Sequence, residues 1–430
     1  MKNFFKENIS RTKNLFKISS DVGFFHLISS NYAIKIFGFA SQIFVAWILT
    51  PTDLGRIRVW QSFLSIALIT ASFGFESSTL KLCSEDWTNE EKYSIYNKAL
   101  HYIIPSLFIT YFVVILLSIF GILSPDKIVN NYTWLFFLAL FPLTINGVQL
   151  SYLRALKKIK EYANIQVITK LISIIFIICL TYFYNLWGYL VALIFGYLLS
   201  FYLIKRLVNK NSYKSVNIVK TPILKMHLKY SIPVVIDDFA GMISQNLDII
   251  ILNFIILSRD EVGYYGFAVT LLAMMTVISY SMYQIIVPYF SEKSNDIQQI
   301  LIMFNKYEFK WAFVSLIILV FAVLFTIPFL YYAMSGKYVQ STQYFIPLAI
   351  AWFFKSNLSF QAGALFGMGK MLFLATFSII SVLITAGFLW ISIGYYGSIG
   401  AAYGMMFAAL FNLIIIKSFF KKKFRINKTV

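Results

Sequence analysis

Leu49-Thr50-Pro51-Thr52-Asp53-Leu54-Gly55 and Leu257-Ser258-Arg259-Asp260-Glu261-Val262-Gly263 follow one pattern twice, 208 residues apart. Each closes an apolar run with a polar turn and then places an acidic, an aliphatic and a glycine residue in succession. Other matches keep the same order. Ser84-Glu85 pairs with Ser291-Glu292, Tyr96-Asn97-Lys98 with Phe304-Asn305-Lys306, and Ala155-Leu156 with Ala364-Leu365, at offsets of 207, 208 and 209. Near the end of each half, Tyr184-Asn185-Leu186-Trp187-Gly188 resembles Tyr396-Gly397-Ser398-Ile399-Gly400 at an offset of 212. The chain therefore reads as a duplication.

What is duplicated is a set of membrane-spanning helices. Of 430 residues, 59% are hydrophobic and 13% charged, against roughly 25% charged in a soluble domain. A helix crossing the ~30 Å hydrocarbon layer needs about 20 apolar residues. Twelve stretches qualify, near 22–48, 57–80, 101–123, 132–153, 163–184, 186–204, 230–257, 262–289, 309–332, 344–368, 371–393 and 398–416. The expected fold class is an all-α integral membrane protein of about twelve transmembrane helices. Its expected domains are a first six-helix bundle over 1–207, a basic cytoplasmic linker over 208–229, and a second six-helix bundle with a basic cytoplasmic tail over 230–430. Six is even, so both halves insert the same way up, and parallel repeats of this kind hold substrate at their interface.

Charge orients the spans. With the amino terminus inside, the inner segments hold 29 of the 37 Lys and Arg, the outer loops hold Arg56, Arg58, Lys127, Arg259 and Lys337, and Lys35, Lys170 and Lys355 lie within spans. This is the positive-inside asymmetry. Both termini are expected in the cytoplasm. The formal net charge of +19 is thus a topology signal in short tracts, not a basic face for nucleic acid. The first apolar stretch is too long for a cleaved signal and lacks a small-residue cleavage site. Tyr132, Trp134, Tyr184, Trp187, Tyr331, Tyr332, Tyr395 and Tyr396 fall at outer boundaries, where amphipathic rings settle. Residues 205–229 carry seven basic residues and no acidic one, which suits a segment lying on anionic headgroups. Cys83 and Cys179 are too separated to bridge.

A charge at mid-membrane is costly, so a retained one faces a partner or a watery cavity. Lys35 sits 13 residues from each end of its span, about 20 Å along the axis, too far to reach the headgroups. Lys355 is similarly central. Asn31, Lys35, Gly38 and Gln42 share a helix face by their 4, 3, 4 spacing, as do Asp237, Gly241, Ser244 and Asp248. Gln61, Ser65, Ser72 and Glu76 form a looser stripe below Arg58. Two readings stand side by side. In one, the lysines pair with Asp237, Asp238 or Asp248 and hold the bundles together. In the other, Lys35, Arg58, Lys355, Gln42 and Gln61 bind an anionic substrate, while Asp237, Asp248 and Glu76 serve coupling or gating. Lys170, seven residues from the inner end of its span, is expected to snorkel to the headgroups. His26, His101 and His227 lie near inner helix ends, and neither a metal-ligand cluster nor a phosphate-binding GxxxxGK[ST] loop occurs. No cofactor is expected, and direct ATP hydrolysis by this chain is not expected either.

Three segments, Leu49 to Phe63 (LTPTDLGRIRVWQSF), Leu153 to Leu171 (LRALKKIKEYANIQVITKL) and Gly394 to Gly404 (GYYGSIGAAYG), resemble the polysaccharide exporters of the multidrug, oligosaccharidyl-lipid and polysaccharide superfamily, and particularly its Wzx-type flippases. The resemblance covers nearly the whole chain. It implies two six-helix bundles around a cationic cavity in a bacterial inner membrane. The implied substrate is an undecaprenyl-pyrophosphate-linked O-antigen or capsule unit, moved from the cytoplasmic to the periplasmic leaflet by alternating access. Lys35 and Arg58 are suitably placed for that. The implied partners are this lipid-linked oligosaccharide, membrane lipids and other polysaccharide-assembly proteins. Murein-precursor flippases, which are similar too, usually carry two more helices and several cavity arginines. A cation-coupled drug exporter of the same superfamily is the nearest alternative, and central lysines argue against its cationic substrates. An enzyme is not expected: a polymerase needs a long outer loop, and an acyltransferase needs an intramembrane histidine.

Overall fold

The computed structural model describes residues 24–211, 223–256, 258–292 and 297–425. The basic amino terminus, the His26 and Asn31 side chains and much of the 208–229 linker lie outside the described residues. Among the described residues there are twelve α-helices and one π-helical turn, and no strand. The first half runs α1 (Phe24–Ile48), α2 (Pro51–Ser72), α3 (Phe75–Cys83), α4 (Asn89–Ile119), α5 (Lys127–Phe137), α6 (Leu140–Ala155) and α7 (Ile159–Asn211). The second runs α8 (Ile223–Ile255), α9 (Arg259–Glu292), α10 (Ile297–Pro328), the π turn Phe329–Ala333, α11 (Ser341–Gly367) and α12 (Met371–Arg425). Each of the twelve expected stretches falls on one of these helices, on a bent pair of them, or on one limb of a broken one. The all-α membrane fold is therefore the one the composition demands.

Helices and spans do not correspond one to one, for a local reason in each case. Between α2 and α3 the chain bends by 46°, where Phe73 and Gly74 take positive φ. α5 and α6 meet at 41°. Counting each bent pair as one, seven helices among the described residues are long and apolar enough to cross a membrane. Two of these, α7 and α12, each contain two limbs, broken at Asn185 (φ 51°) and Gly397 (φ 61°). Asn and Gly are the residues that tolerate this left-handed backbone. These breaks stand at matched positions of the repeat. A Cβ on Gly188 would lie 1.8 Å from the carbonyl oxygen of Leu180, and one on Gly400 would lie 2.0 Å from that of Ser392. The chain folds back so tightly at both places that only glycine fits three residues beyond the break.

Packing sorts the residues into two compact units that do not follow chain order. One comprises the chain to Ile48, Leu64–Leu123 and Asn131–Asp238, and the other comprises Leu49–Phe63, Ser124–Asn130 and the chain from Phe239. α8 belongs to both, changing unit between Asp238 and Phe239.

The core of the first unit gathers Phe75, Tyr96, Ile103, Tyr152, Leu153 and Val208, with the Tyr96 and Tyr152 rings stacked at 4.4 Å. Thr88 and Glu91 form a reciprocal capping box at the start of α4, satisfying orphan backbone donors. His227, fully buried at the start of α8, is held against α3 and α4. Its Nε2–H donates to the Ile95 carbonyl at 3.4 Å, its Nδ1 accepts from the Ser78 hydroxyl at 2.7 Å, and its ring lies 5.1 Å from that of Phe75. Burial pushes its pKa down to about 4.

In the second unit Phe290, Phe304, Trp311, Phe360 and Phe420 make the core, Phe304 stacking on Phe420 at 3.9 Å. Phe321, Phe325, Trp390 and Tyr395 stay exposed. In hydrocarbon that is no penalty, since lipid tails are as apolar as these side chains.

Candidate functional site

The expected site residues divide between the units. Lys35, Gln42, Glu76 and Asp237 belong to the first, whereas Arg58, Gln61, Asp248 and Lys355 belong to the second. Asp237 and Asp248 share a helix but not a unit, because α8 changes unit between them.

In the first unit, Lys35 and Gln42 are exposed on α1, on the face where their spacing puts them. Gly38 lies between them, and the side chain of Lys170, on α7, crosses it. A Cβ at Gly38 would stand 3.5 Å from Lys170 Cε and 3.9 Å from its Nζ. The Lys170 ammonium thus lies level with the middle of α1 rather than at the headgroups, which its distance from the helix end predicts. Glu76 opens α3 just after the bend and points into a notch on α6. A Cβ at Gly147 would lie 2.1 Å from Glu76 Oε1, so the missing side chain is what makes room for the carboxylate. Asp238 and Arg154 are within electrostatic range of it. Asp237 is exposed on α8.

In the second unit the amino-terminal end of α2 is bound into a polar network. Arg58 donates to Gln61 Oε1 at 2.9 Å and to the Thr270 hydroxyl of α9. Two residues earlier, Arg56 holds Asp53 and Asp126, each at 2.9 Å. Asp126 also faces Arg259 at 3.6 Å, and Arg259 donates to Asn253 at 3.0 Å. The cations that mark this side in the sequence are thus largely used in tying helix ends together.

Asp248 is 4% exposed. It accepts from the Tyr265 hydroxyl at 2.5 Å and from the Ile249 amide at 2.8 Å. Lys355, on α11, is within electrostatic range of Asp248 but makes no direct ion pair to it. Its side chain is exposed. Asp248 is therefore satisfied by a neutral hydroxyl and a backbone amide, and Lys355 is an exposed cation within electrostatic range of it.

Sequence reasoning missed Thr270, Tyr265, Gly147 and the Asp126–Arg259 contact, since each meets its partner from another element and no spacing rule reveals which residues face one another. Only Gly147 left a signal: a glycine inside an apolar span commonly marks close approach.

A family model described as polysaccharide biosynthesis protein matches residues 22–294. Among solved structures, the chain is similar to the lipid II flippase MurJ in its inward closed conformation, at 14% identity and a TM-score of 0.73, over 92% of this chain and 87% of that one. It is similar also to an inward-facing MATE-family multidrug resistance transporter of the MOP superfamily, at 14% identity and a TM-score of 0.71, over 92% and 96%. A mutant of the Vibrio cholerae MATE transporter VcmN matches at 14% identity and a TM-score of 0.58, over 95% and 98%. No curated protein matches the sequence. These likenesses show a shared all-α transporter fold, and the family match, extending over more than half of the chain, shows that this chain belongs to the polysaccharide biosynthesis protein family.

Proposed function

We propose that the chain is a flippase that moves an undecaprenyl-pyrophosphate-linked oligosaccharide, an O-antigen or capsule repeat unit, from the cytoplasmic to the outer leaflet of a bacterial inner membrane by alternating access. The carrying observation is Lys355, an exposed cation in the middle of a predicted span whose neighbouring aspartate is already hydrogen-bonded elsewhere. Together with membership of a polysaccharide biosynthesis family, it favours an anionic, sugar-bearing substrate over a cationic drug. In this reading Lys35, Lys355 and Arg58 attract the pyrophosphate, and Gln42 and Gln61 offer amides to it or to sugar hydroxyls. Asp237, Asp248 and Glu76 belong to coupling or gating. The expected domains in this reading are a first six-helix bundle over 1–207, a basic linker over 208–229 and a second bundle over 230–430, with both termini cytoplasmic. Binding rather than bond-making is what such residues supply, so no enzymatic step is assigned.

Deletion of the gene in its host tests this. Lipid-linked oligosaccharide should accumulate on the cytoplasmic leaflet, and wild type should clear it while Lys35→Ala and Lys355→Ala should not. Unaltered surface glycan with changed drug sensitivity would instead favour a drug exporter, whose fold this chain shares.

A further inference from the structure

Glu76 carries a carboxylate that no hydrogen bond or ion pair reaches among the described residues. It stands in the first turn of α3, near the predicted inner boundary of its span, and water is close in that direction. Side chains on a helix lean toward its amino-terminal end, however, and for α3 that end is the bend. The carboxylate accordingly lies in the Gly147 notch of α6, where a Cβ would stand 2.1 Å from Oε1 and 2.8 Å from Oε2.

Its surroundings are rich in oxygen and short of positive charge. Ser231 and Val235 of α8 pack on Gly74 at the bend, where a Cβ would stand 2.7 Å from the Ser231 carbonyl oxygen and 3.0 Å from Val235 Cγ2. Asp238 continues that face of α8 by its 4, 3 spacing and is within electrostatic range of Glu76. Thr79 is one turn along α3 from Glu76, and Thr144 one turn along α6 from Gly147, each on the face of its neighbour. Both threonines are 0% exposed, and their hydroxyl oxygens have no hydrogen-bond partner. Elsewhere in the chain buried hydroxyls donate to the carbonyl four residues back, as Ser173 does to Thr169 and Thr270 to Gly266. The break adds backbone oxygens, since among the described residues no hydrogen bond reaches the Ala71 and Ser72 carbonyls that end α2. Arg154 is also in range of Glu76, but its guanidinium sits over the Tyr162 ring at 5.7 Å. With Asp237 beside Asp238, one arginine faces three carboxylates. All of these residues lie in the first packing unit.

Carboxylates left uncompensated in a low-dielectric layer are costly and persist where a cation is held. The donors are oxygens alone, which excludes the nitrogen and sulfur preferences of zinc, and neutral oxygens outnumber the two facing carboxylates, which suits a singly charged ion better than calcium. The carbonyl end of a broken helix carries negative partial charge and is suited to sodium. Resting on the coupling or gating role given to Glu76 above, we propose that Glu76 and Asp238, with the Thr79 and Thr144 hydroxyls and the carbonyls ending α2, form a sodium-binding site at the α2–α3 bend. An ion bound there links α3, α6 and α8 and holds the bend in the form that the structure shows.

The test follows thermal melting of the purified full-length chain as sodium chloride replaces choline chloride at constant ionic strength, together with retention of radioactive sodium. Wild type should melt higher in sodium, saturably, and should retain the ion. Glu76→Gln should abolish both responses. Gly147→Ala keeps Glu76 but fills its notch and should do the same, which guards against a fold defect in one variant. Asp238→Asn and Thr144→Val should each raise the half-effective sodium concentration roughly tenfold. Equal melting of wild type in sodium and choline overturns the site, as does a sodium response that survives in both Glu76→Gln and Gly147→Ala. Stabilisation by acid that requires Glu76, with no response to sodium, overturns it too, since the carboxylate would then hold a proton. The readout contains no lipid-linked substrate, so these results leave the flippase reading standing, and that reading falls only by the deletion experiment above.

Discussion

Gly55 and Gly263, the same position in the two sequence repeats, lie directly against one another. A Cβ on Gly55 would be 2.4 Å from the Arg259 carbonyl oxygen and 2.9 Å from the Gly263 nitrogen, and one on Gly263 would be 1.9 Å from the Pro51 carbonyl oxygen. The contact is reciprocal, since Arg259 and Pro51 are themselves 208 residues apart. Thr52 and Asp260, another matched pair, are hydrogen-bonded beside it. Here the duplicated sequence meets itself, and the lack of side chains lets the backbones of α2 and α9 touch. Gly55→Ala and Gly263→Ala should each destabilise by about 1–3 kcal/mol, the range for overpacking. Because either one forces the helices apart, the double variant should cost less than the two together. Thermal melting of the purified chain measures this, and an unchanged midpoint in both single variants would refute the close contact.

Asp248 and Tyr265 provide a second test. With its carboxylate buried, loss of the Tyr265 hydroxyl leaves an acceptor short of a donor, which costs about 1.5–3 kcal/mol when the partner is charged. Tyr265→Phe should therefore lower the melting midpoint. The same change made on an Asp248→Asn background should cost markedly less, and equal costs in the two backgrounds would show that the pair is not coupled.

Glu76 and Gly147 make a third. Gly147→Ala places a methyl where the Glu76 carboxylate lies, so melting temperature and translocation should both fall. Shortening the opposing side chain removes the clash. Gly147→Ala should thus be nearly neutral for stability on a Glu76→Ala background, even though translocation stays impaired if Glu76 is a gating residue. A thermal cost that ignores residue 76 would contradict the notch.

His227 links stability to pH. Burial lowers its folded-state pKa to about 4, against ~6.5 in an unfolded chain. Above pH ~6.5 the imidazole is neutral in both states and its hydrogen bonds contribute in full. As pH falls from there toward 4 the unfolded state takes up a proton that the folded state refuses, so stability declines across that window. His227→Gln should flatten this part of the pH–melting curve and should cost stability at pH ~7.5 through the lost Ser78 and Ile95 contacts, about 1–3 kcal/mol. An identical acid slope in the variant would assign the decline to other groups.

The charged residues show where sequence reading stops. Spacing puts Lys35 and Gln42 on one face of α1, and they are there. The same rule puts Asp237 and Asp248 on one face of α8, but it cannot show that packing assigns them to different units or that Tyr265 answers Asp248. For Lys170, the distance to a helix end predicts a headgroup position. The structure carries it to Gly38, because snorkelling distance is measured along one helix while the available space is set by another.

The helical type of the apolar stretches and their duplication were determined by the sequence itself. Each follows from local quantities: the length of an apolar run needed to cross hydrocarbon, and a pattern that recurs after 208 residues. Which glycine faces which carbonyl, which carboxylate finds a hydroxyl, and which lysine crosses to a neighbouring helix were decided only by tertiary structure. Those relations are between different helices, and helix–helix contact in a membrane is chosen by shape and hydrogen bonding rather than by hydrophobicity, which is the same for every apolar face in lipid.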